Sequence, residues 1–394
     1  MSLKPKKPKL AYIVSRFPYP LEKGDKLRAY YQLKELSLTH EIYLFALTEE
    51  KISIEHIALL KKYCKSVEVF RLKWWLIALQ IALSFFSNSP FQVAYFYDPL
   101  IARRIRKKLS AIQPDHIFCQ LIRASEYVKD YHLCPKTLDY MDAFSKGMER
   151  RVKSAPWYSR WLFQSETKRL GRYEQAIFSY FEHKLIISEQ DRNLIMHPQR
   201  NEIICVPNGI DQTFFEAPEK TAIYDLVFVG NLSYAPNVEA VAFIDKLMKE
   251  LPNRTCLISG ANPSPIVRRI ARGNPSIHLL GWVEDIRSSY CSGKVFVAPM
   301  TIGTGMQNKL LEAMALGIPC ITTPLAGNAI HASDGVHLLL ADDLMGFSAA
   351  FKQLESDVQL YESVSKSASH FVRKHYSWQQ ANSLILHHCL SFKD

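Results

Sequence analysis

The eight cysteines of this 394-residue chain never form a CxxC pair. They are scattered singly (Cys64, Cys119, Cys134, Cys205, Cys256, Cys291, Cys320, Cys389), and several sit inside apolar runs such as Ile204-Cys205-Val206. That spacing argues against a disulfide framework or a zinc site and fits a reducing cytoplasm. Long apolar runs are lacking too. The longest, 74–86, is interrupted by Gln80 and Ser84 and falls well short of the roughly 20 residues that span a bilayer. No apolar segment of signal-peptide length follows the lysine-rich stretch 4–9, so a signal peptide is not expected. HxH, HExxH and carboxylate-rich patterns are missing, and no metal is expected. GxSxG elbows, Walker loops and GxGxxG fingerprints are missing as well. This counts against hydrolase, P-loop and ordinary dinucleotide-binding chemistry. His116, His183, His278 and His337 lie beside or within strand-like runs and read as structural.

What the chain has in excess is positive charge, +11 at neutral pH, concentrated in the first half at 4–9, 103–108 and 146–172. No zinc-ligand spacing or RNA-binding aromatic signature accompanies it, so nucleic acid is not an expected partner. An anionic membrane surface is, since it attracts such patches by about 1 kcal/mol per well-placed cation. The aromatic start of 74–86 (Trp74, Trp75) and the basic cluster 103–108 favour the same interface. Two plainer readings stand beside these: a solvated basic surface without a partner, and a core helix at 74–86. The expected location is cytoplasmic, with peripheral association at the inner face of the plasma membrane as the further expectation.

A chain of 394 residues implies two domains of roughly 200 each. With 48% hydrophobic and 22% charged residues it reads as globular. Short apolar runs alternate with helical segments almost throughout. Strands are expected at 10–15, 41–46, 66–72, 116–120, 137–141, 184–188 and 203–206, then at 225–230, 255–259, 277–280, 295–298, 320–322 and 337–340. Helices are expected at 26–38, 237–251 and 310–316 among others. Such alternation means α/β architecture, parallel sheets covered by helices on both faces. Turn chemistry at Pro207-Asn208-Gly209 and the linker-like stretch around Pro218 place a boundary there. The expected division is 1–208, 209–376 and a terminal helical segment 377–394 packing on the first domain. Ligands of open α/β sheets bind beyond the carboxyl ends of the strands.

The most informative stretch is 303–319. The apolar run 295–299 leads into a loop with Gly303, Thr304, Gly305, Met306, Gln307 and Asn308, and then a helix that stops at Gly317 and Pro319. A strand, a glycine loop and a helix N-terminus form a cradle for anions. Lys309 and Glu312 fall in the first turn or so, adding a charge and a hydroxyl acceptor, which suits a ligand carrying both phosphate and ribose. In the first half, Gly24 and Asp25 stand where a helix would start, flanked by Arg16 and Arg28, which could pair with phosphate. An ordinary loop and cap is the plainer reading. Gly230, followed by Asn231, ends a strand and permits close ligand approach. Asp142 could face a cleft as a carboxylate for sugar hydroxyls or cap the helix after Ala143.

Together these residues resemble a retaining glycosyltransferase of the GT-B fold, in the large family 4, the glycosyl transferases group 1. The marks are Gly24-Asp25, the segment from Val206 to Asp211, Phe228-Val229-Gly230-Asn231, Gly281-Trp282-Val283, the block from Lys309 to Pro319, and His375-Tyr376-Ser377-Trp378. The stretch Leu138 to Lys146 is similar to a bacterial subgroup associated with exopolysaccharide and protein-sorting loci. The resemblance implies two Rossmann-like domains facing across a cleft and a terminal helix crossing back to the first. It implies hexosyl transfer from a UDP- or GDP-linked sugar to a lipid-linked or glycan acceptor, with no cofactor and no metal. Glu312 would hold the ribose; Lys309 and the N–H groups from Gly305 to Leu310 would hold the diphosphate; Gly24 would admit diphosphate or sugar.

Three departures from the family pattern stand out. Thr304 stands where a first glutamate contacts the donor sugar. Asn231 and Asn237 stand where an arginine and a lysine are common, which shifts diphosphate charge onto Lys309 with help from Arg16 or Arg28. A first-domain histidine is missing, with Gln120 the nearest polar residue. A nucleotide-sugar epimerase and a non-catalytic sugar-nucleotide-binding module are the alternatives on the same fold.

Overall fold

In the computed structural model, which describes residues 7–216, 218, 221–300 and 307–390, each of the thirteen expected strand runs becomes a strand. They are β1 (Lys9–Val14), β2 (Glu41–Thr48), β3 (Ser66–Arg71), β4 (His116–Gln120), β5 (Lys136–Asp139), β6 (His183–Ile186) and β7 (Ile204–Cys205), then β8 (Tyr224–Val229), β9 (Cys256–Ser259), β10 (Ile277–Gly281), β11 (Gly293–Ala298), β12 (Cys320–Thr322) and β13 (Leu339–Leu340). The central strands are buried on both faces: all five residues of β4 and the last five of β1 are inaccessible. Strands with helices on both sides read as unbroken apolar runs for this reason.

The strands form two all-parallel sheets, ordered β3-β2-β1-β4-β5-β6-β7 and β10-β9-β8-β11-β12-β13. In each, the chain winds outward from the first strand and then returns to its other side. The reversals therefore fall between β1 and β4 and between β8 and β11. Crevices form beyond the carboxyl ends at such points. The segments following β1, β5, β8 and β11 carry nearly all the residues singled out from sequence.

The chain divides into two units, one of residues Met1–Pro207 with Ala381–Asp394 and one of Asn208–Gln380. Each has its own apolar core, in which every fully buried Leu, Ile or Phe contributes about 1.5–3 kcal/mol. Within the second unit, the segments where the chain enters and leaves are stitched together. The Ile210 N–H donates to the Tyr376 carbonyl at 2.6 Å. A Cβ on Gly209 would stand 2.3 Å from the Trp378 nitrogen, so only glycine fits. The helix Trp378–Cys389 begins in this unit and continues into the first. There Ala381, Ile385, Cys389 and Leu390 are buried, and Cys389 lies against Thr137 of β5.

Two expectations are corrected. The helix Gly24–Leu36 starts two residues earlier than expected, with Lys23 rather than Asp25 at its N-cap. The core reading of 74–86 fails. The helix Trp74–Phe85 buries only Leu76 and Ser84, while Trp74 is 80% and Phe86 93% exposed. It follows β3, the edge strand of its sheet, where one face at most finds cover.

Candidate functional site

In the second unit, β8 ends at Val229 and hands the chain through Gly230 and Asn231 to the helix Ala235–Glu250, with Pro236 in its first turn. The strand-end glycines sit back to back: a Cβ on Gly260, whose φ is +144°, would lie 1.8 Å from the Gly230 carbonyl. The Asn231 side chain closes a local turn, its amide oxygen accepting from the Ser233 N–H and hydroxyl. Asn237 is buried. Its amide nitrogen donates to the Asn231 carbonyl at 2.8 Å, and its oxygen accepts from the Lys309 ammonium. This asparagine thus holds a cation in place.

Lys309 reaches that position from the helix Asn308–Ala315. Its ammonium lies 5.1 Å from the centre of the Phe228 ring, a cation–π distance. Burial lowers its pKa to about 8, against the opposing pull of Glu312. One turn on, Glu312 accepts from the Tyr290 hydroxyl at 2.8 Å. Burial raises the Glu312 carboxyl above the usual range, while Tyr290 and Lys309 oppose that rise. The arrangement sets a half-buried ammonium and a braced carboxylate side by side on one helix.

Gln307 stands at the N-cap of this helix without a side-chain cap, and Asn308 is its first residue. Leu310 does not serve a ligand. It is fully buried and its N–H donates to the Gln307 carbonyl at 2.9 Å. Gly303, Thr304, Gly305 and Met306 lie outside the described residues. Trp282, after Gly281 at φ +66°, is 72% exposed.

In the first unit the residues after β1 separate into two roles. Gly24 opens the helix Gly24–Leu36 with no atom within 4 Å of where a Cβ would be, so the space beside it is free. Asp25 pairs with Arg16 at 2.8 Å, and the Gln120 amide holds the Asp25 carbonyl at 2.9 Å. Arg28 is not a ligand residue. It is wholly buried, its Nε donating at 2.7 Å to Asp139, which also accepts from Gln32 at 3.1 Å. Wholly buried, this guanidinium is out of a phosphate's reach.

Asp142 does not cap the helix Phe144–Ser154. The Glu174 carboxylate does, accepting from the Ser145 N–H at 3.0 Å and the Ser145 hydroxyl at 2.5 Å. Asp142 stays accessible at its edge, yet desolvation of its carboxyl, with Asp191 adding to it, pushes it up to about 7 against Arg123 and Arg150. Of the histidines, His116 stacks on His183 and contacts the Thr137 hydroxyl at 2.8 Å, and burial lowers it to about 3. His337 stacks on Phe371. Among the described residues no three His, Cys, Asp or Glu side chains gather closely enough to hold a metal ion.

Sequence reasoning missed Tyr290 and Glu174. Neither had a local signal, since Tyr290 lies 22 residues from the carboxylate it braces and Glu174 lies 29 from the helix start it caps.

Residues 224–357 match the family glycosyl transferases group 1. Over nearly its whole length the chain is 23% identical, across 409 residues, to an uncharacterized 44.6 kDa protein in the cps region of Klebsiella pneumoniae, covering 96% of this chain and 98% of that one. Among solved structures, a sucrose-phosphate synthase from Thermosynechococcus elongatus is similar at a TM-score of 0.67 and 14% identity, over 96% of this chain and 97% of that one. The Anabaena protein HepE, solved with UDP and glucose, is similar at a TM-score of 0.67 and 14% identity, over 98% and 100% of the two chains. These likenesses show the fold, two Rossmann-like domains of the GT-B type.

Proposed function

We propose that this chain, of GT-B fold and matching the glycosyl transferases group 1 model over residues 224–357, moves a hexosyl group, with retention, from a nucleoside-diphosphate sugar to a lipid-linked or glycan acceptor. The observation that carries the reading is the pair Lys309 and Glu312, held by Asn237 and Tyr290 at the switch point between β8 and β11. A cps-region relative supports an exopolysaccharide or capsule setting. The UDP in the HepE structure supports a uridine nucleotide among the candidate bases.

In this reading Glu312 accepts from the ribose hydroxyls and Lys309 meets the diphosphate. Gly230, at the end of β8, allows close approach. Sugar contacts fall to N–H groups of the 305–307 stretch, since Thr304 offers no carboxylate. During transfer the C1–O bond to the diphosphate breaks, its electron pair leaves with the phosphate oxygen, and the acceptor oxygen bonds C1 on the same face. The acceptor proton passes to the departing diphosphate. Lys309 and the helix N-terminus stabilise the growing negative charge, with no metal required. An incoming diphosphate raises the lysine from its depressed pKa and secures it as an ammonium.

The helix Trp74–Phe85 and its exposed aromatic residues would rest on an anionic membrane, with the basic residues 103–108 supplying attraction.

Isothermal titration with UDP and GDP tests the donor assignment. At least one nucleotide binds the native chain, and Glu312→Ala weakens it about tenfold or more, the loss of a hydrogen-bonded carboxylate. If neither nucleotide binds, the assignment is wrong. Conversion of a sugar nucleotide without acceptor would replace the transferase reading with an epimerase.

A further inference from the structure

In the first unit the helices Phe144–Ser154 and Arg160–Ile177 pack against each other as a hairpin. The turn that joins them, 155–159, and the residue just beyond it present three large aromatic side chains to solvent. Trp157 is 83%, Tyr158 65% and Trp161 61% exposed. The rings of Trp157 and Tyr158 meet edge to face at 6.1 Å. The same hairpin is strongly basic. From 144 to 177 the sequence holds eight Lys or Arg against three Glu, and all three glutamates are engaged. Glu166 caps the helix Phe91–Phe96, accepting from the Phe91 and Gln92 N–H groups at 2.8 and 3.0 Å. Glu174 is bound to Ser145, and Glu149 pairs with Lys146 at 2.8 Å. Trp161, Lys168 and Arg172 are spaced by two and then three turns, so they share one exposed face.

The hairpin is also fastened to the uncovered helix Trp74–Phe85. The Arg169 guanidinium donates to the Ser84 carbonyl, to that of Ser87 at 2.8 Å and to that of Ser89 at 3.0 Å. It covers the Phe91 ring at 4.7 Å, and Phe91 meets Phe85 at 4.8 Å. Trp161 lies eight residues before Arg169, about 12 Å along the same helix axis. The aromatic turn and the aromatic helix are therefore held at a fixed spacing.

Tryptophan and tyrosine flanked by cations suit the boundary between lipid and water, where a ring can be dry and its polar edge wet. A wholly apolar partner would leave the basic face without a counter-charge, whereas an anionic bilayer supplies both surfaces. We propose that the turn 155–159, with Trp161, is a second membrane-inserting element that seats in the interface of an anionic phospholipid bilayer beside 74–86. The inference rests on the membrane contact proposed above for 74–86. It adds a second element and with it an orientation, since two elements at a fixed spacing admit one face of the first unit to the membrane.

The test is flotation of the full chain at low salt with vesicles of phosphatidylcholine and phosphatidylglycerol in equal parts, and with phosphatidylcholine alone. The native chain should float with the first and not with the second. Trp157→Ser/Tyr158→Ser/Trp161→Ser should weaken partitioning about tenfold or more, as apolar area is lost from the contact. Lys168→Glu/Arg172→Glu should weaken it as well. Ile266→Ser/Met345→Ser/Val358→Ser, at three exposed apolar positions of the second unit, should not. Insertion is read separately in a Trp74→Phe/Trp75→Phe chain. Brominated lipid should quench its tryptophan emission, and adding Trp157→Phe/Trp161→Phe should remove that quenching. A turn variant that floats like the native chain, or quenching that does not depend on Trp157 and Trp161, overturns the inference and leaves 74–86 in place. Loss of flotation in the turn variant but not in Trp74→Ser/Trp75→Ser/Phe86→Ser supports the turn and refutes 74–86. A native chain that never floats refutes both. A native dimer that the turn variant converts to a monomer shows that a second copy covers the turn, and the inference falls.

Discussion

Lys309 is held at a cost, and replacing it with methionine should stabilise the protein while abolishing nucleotide binding. Its amine titrates at about 8 in the folded chain, against an ordinary 10.5. At about 1.4 kcal/mol per unit, that depression costs at most about 3.5 kcal/mol. The side chain is only partly exposed, so solvent screening reduces this modestly. The cost is complete below about pH 8, where the amine is charged in both folded and unfolded chains. It fades as pH rises and is gone above about 10.5, where both are neutral.

Methionine fills a similar space without the charge but forfeits the bond to Asn237, worth about 1 kcal/mol. The net gain at pH 7 is about 1–2 kcal/mol. For a unit of this size that means a rise in melting temperature of about 2–8 °C. Scanning calorimetry at pH 7 and pH 10 measures it, and the advantage should shrink at the higher pH. Saturating UDP, which at a hundred times Kd adds about 2.7 kcal/mol to the native chain, should add far less to Lys309→Met. A variant that melts lower at pH 7, or keeps its full advantage at pH 10, would refute the reasoning.

Removing the Tyr290 hydroxyl takes away one of the two groups that hold the Glu312 carboxyl down. In Tyr290→Phe the carboxyl therefore titrates higher, and UDP affinity at pH 6 should drop about tenfold, a charge-assisted bond being worth about 1.5–3 kcal/mol. The native-to-variant ratio should narrow as pH rises toward 8, and a constant ratio between pH 6 and 8 excludes the role given to Tyr290. The exposed aromatic residues of 74–86 make a separate claim. Native protein should float with vesicles containing anionic lipid at low salt, and the triple change Trp74→Ser/Trp75→Ser/Phe86→Ser should leave it at the bottom of the gradient. Flotation of both would show that this surface is not the membrane contact.

The strands were legible because each is a short apolar run bounded by turn residues, and burial on both faces demands that pattern. Helix ends such as Pro236 and Gly317 announced themselves through backbone chemistry. Charged residues were harder. Arg28 stands close in sequence to Gly24 and looks like a phosphate ligand, but its partner Asp139 lies 111 residues away, a distance local spacing cannot report. Asp142 offered two readings, and the carboxylate that caps the following helix comes from Glu174 instead. The composition of 74–86 described a helix correctly, yet only the position of β3 at a sheet edge decided that most of its apolar surface would stay uncovered. Asn237 looked like a lost cation until its place between Gly230 and Lys309 explained it.

The terminal helix gives the first unit an unusual history on the ribosome. That unit is assembled from two pieces of chain, and Ala381, Ile385, Cys389 and Leu390 enter its core only after the whole of Asn208–Gln380 has been made. At about 5–20 residues per second this intervening stretch takes roughly 10–35 s to synthesise. Through that interval the surface around Thr137 waits without its covering helix. The second unit, built from one continuous stretch, can close first. Of the two units, the one that is synthesised first is thus the one that finishes folding last.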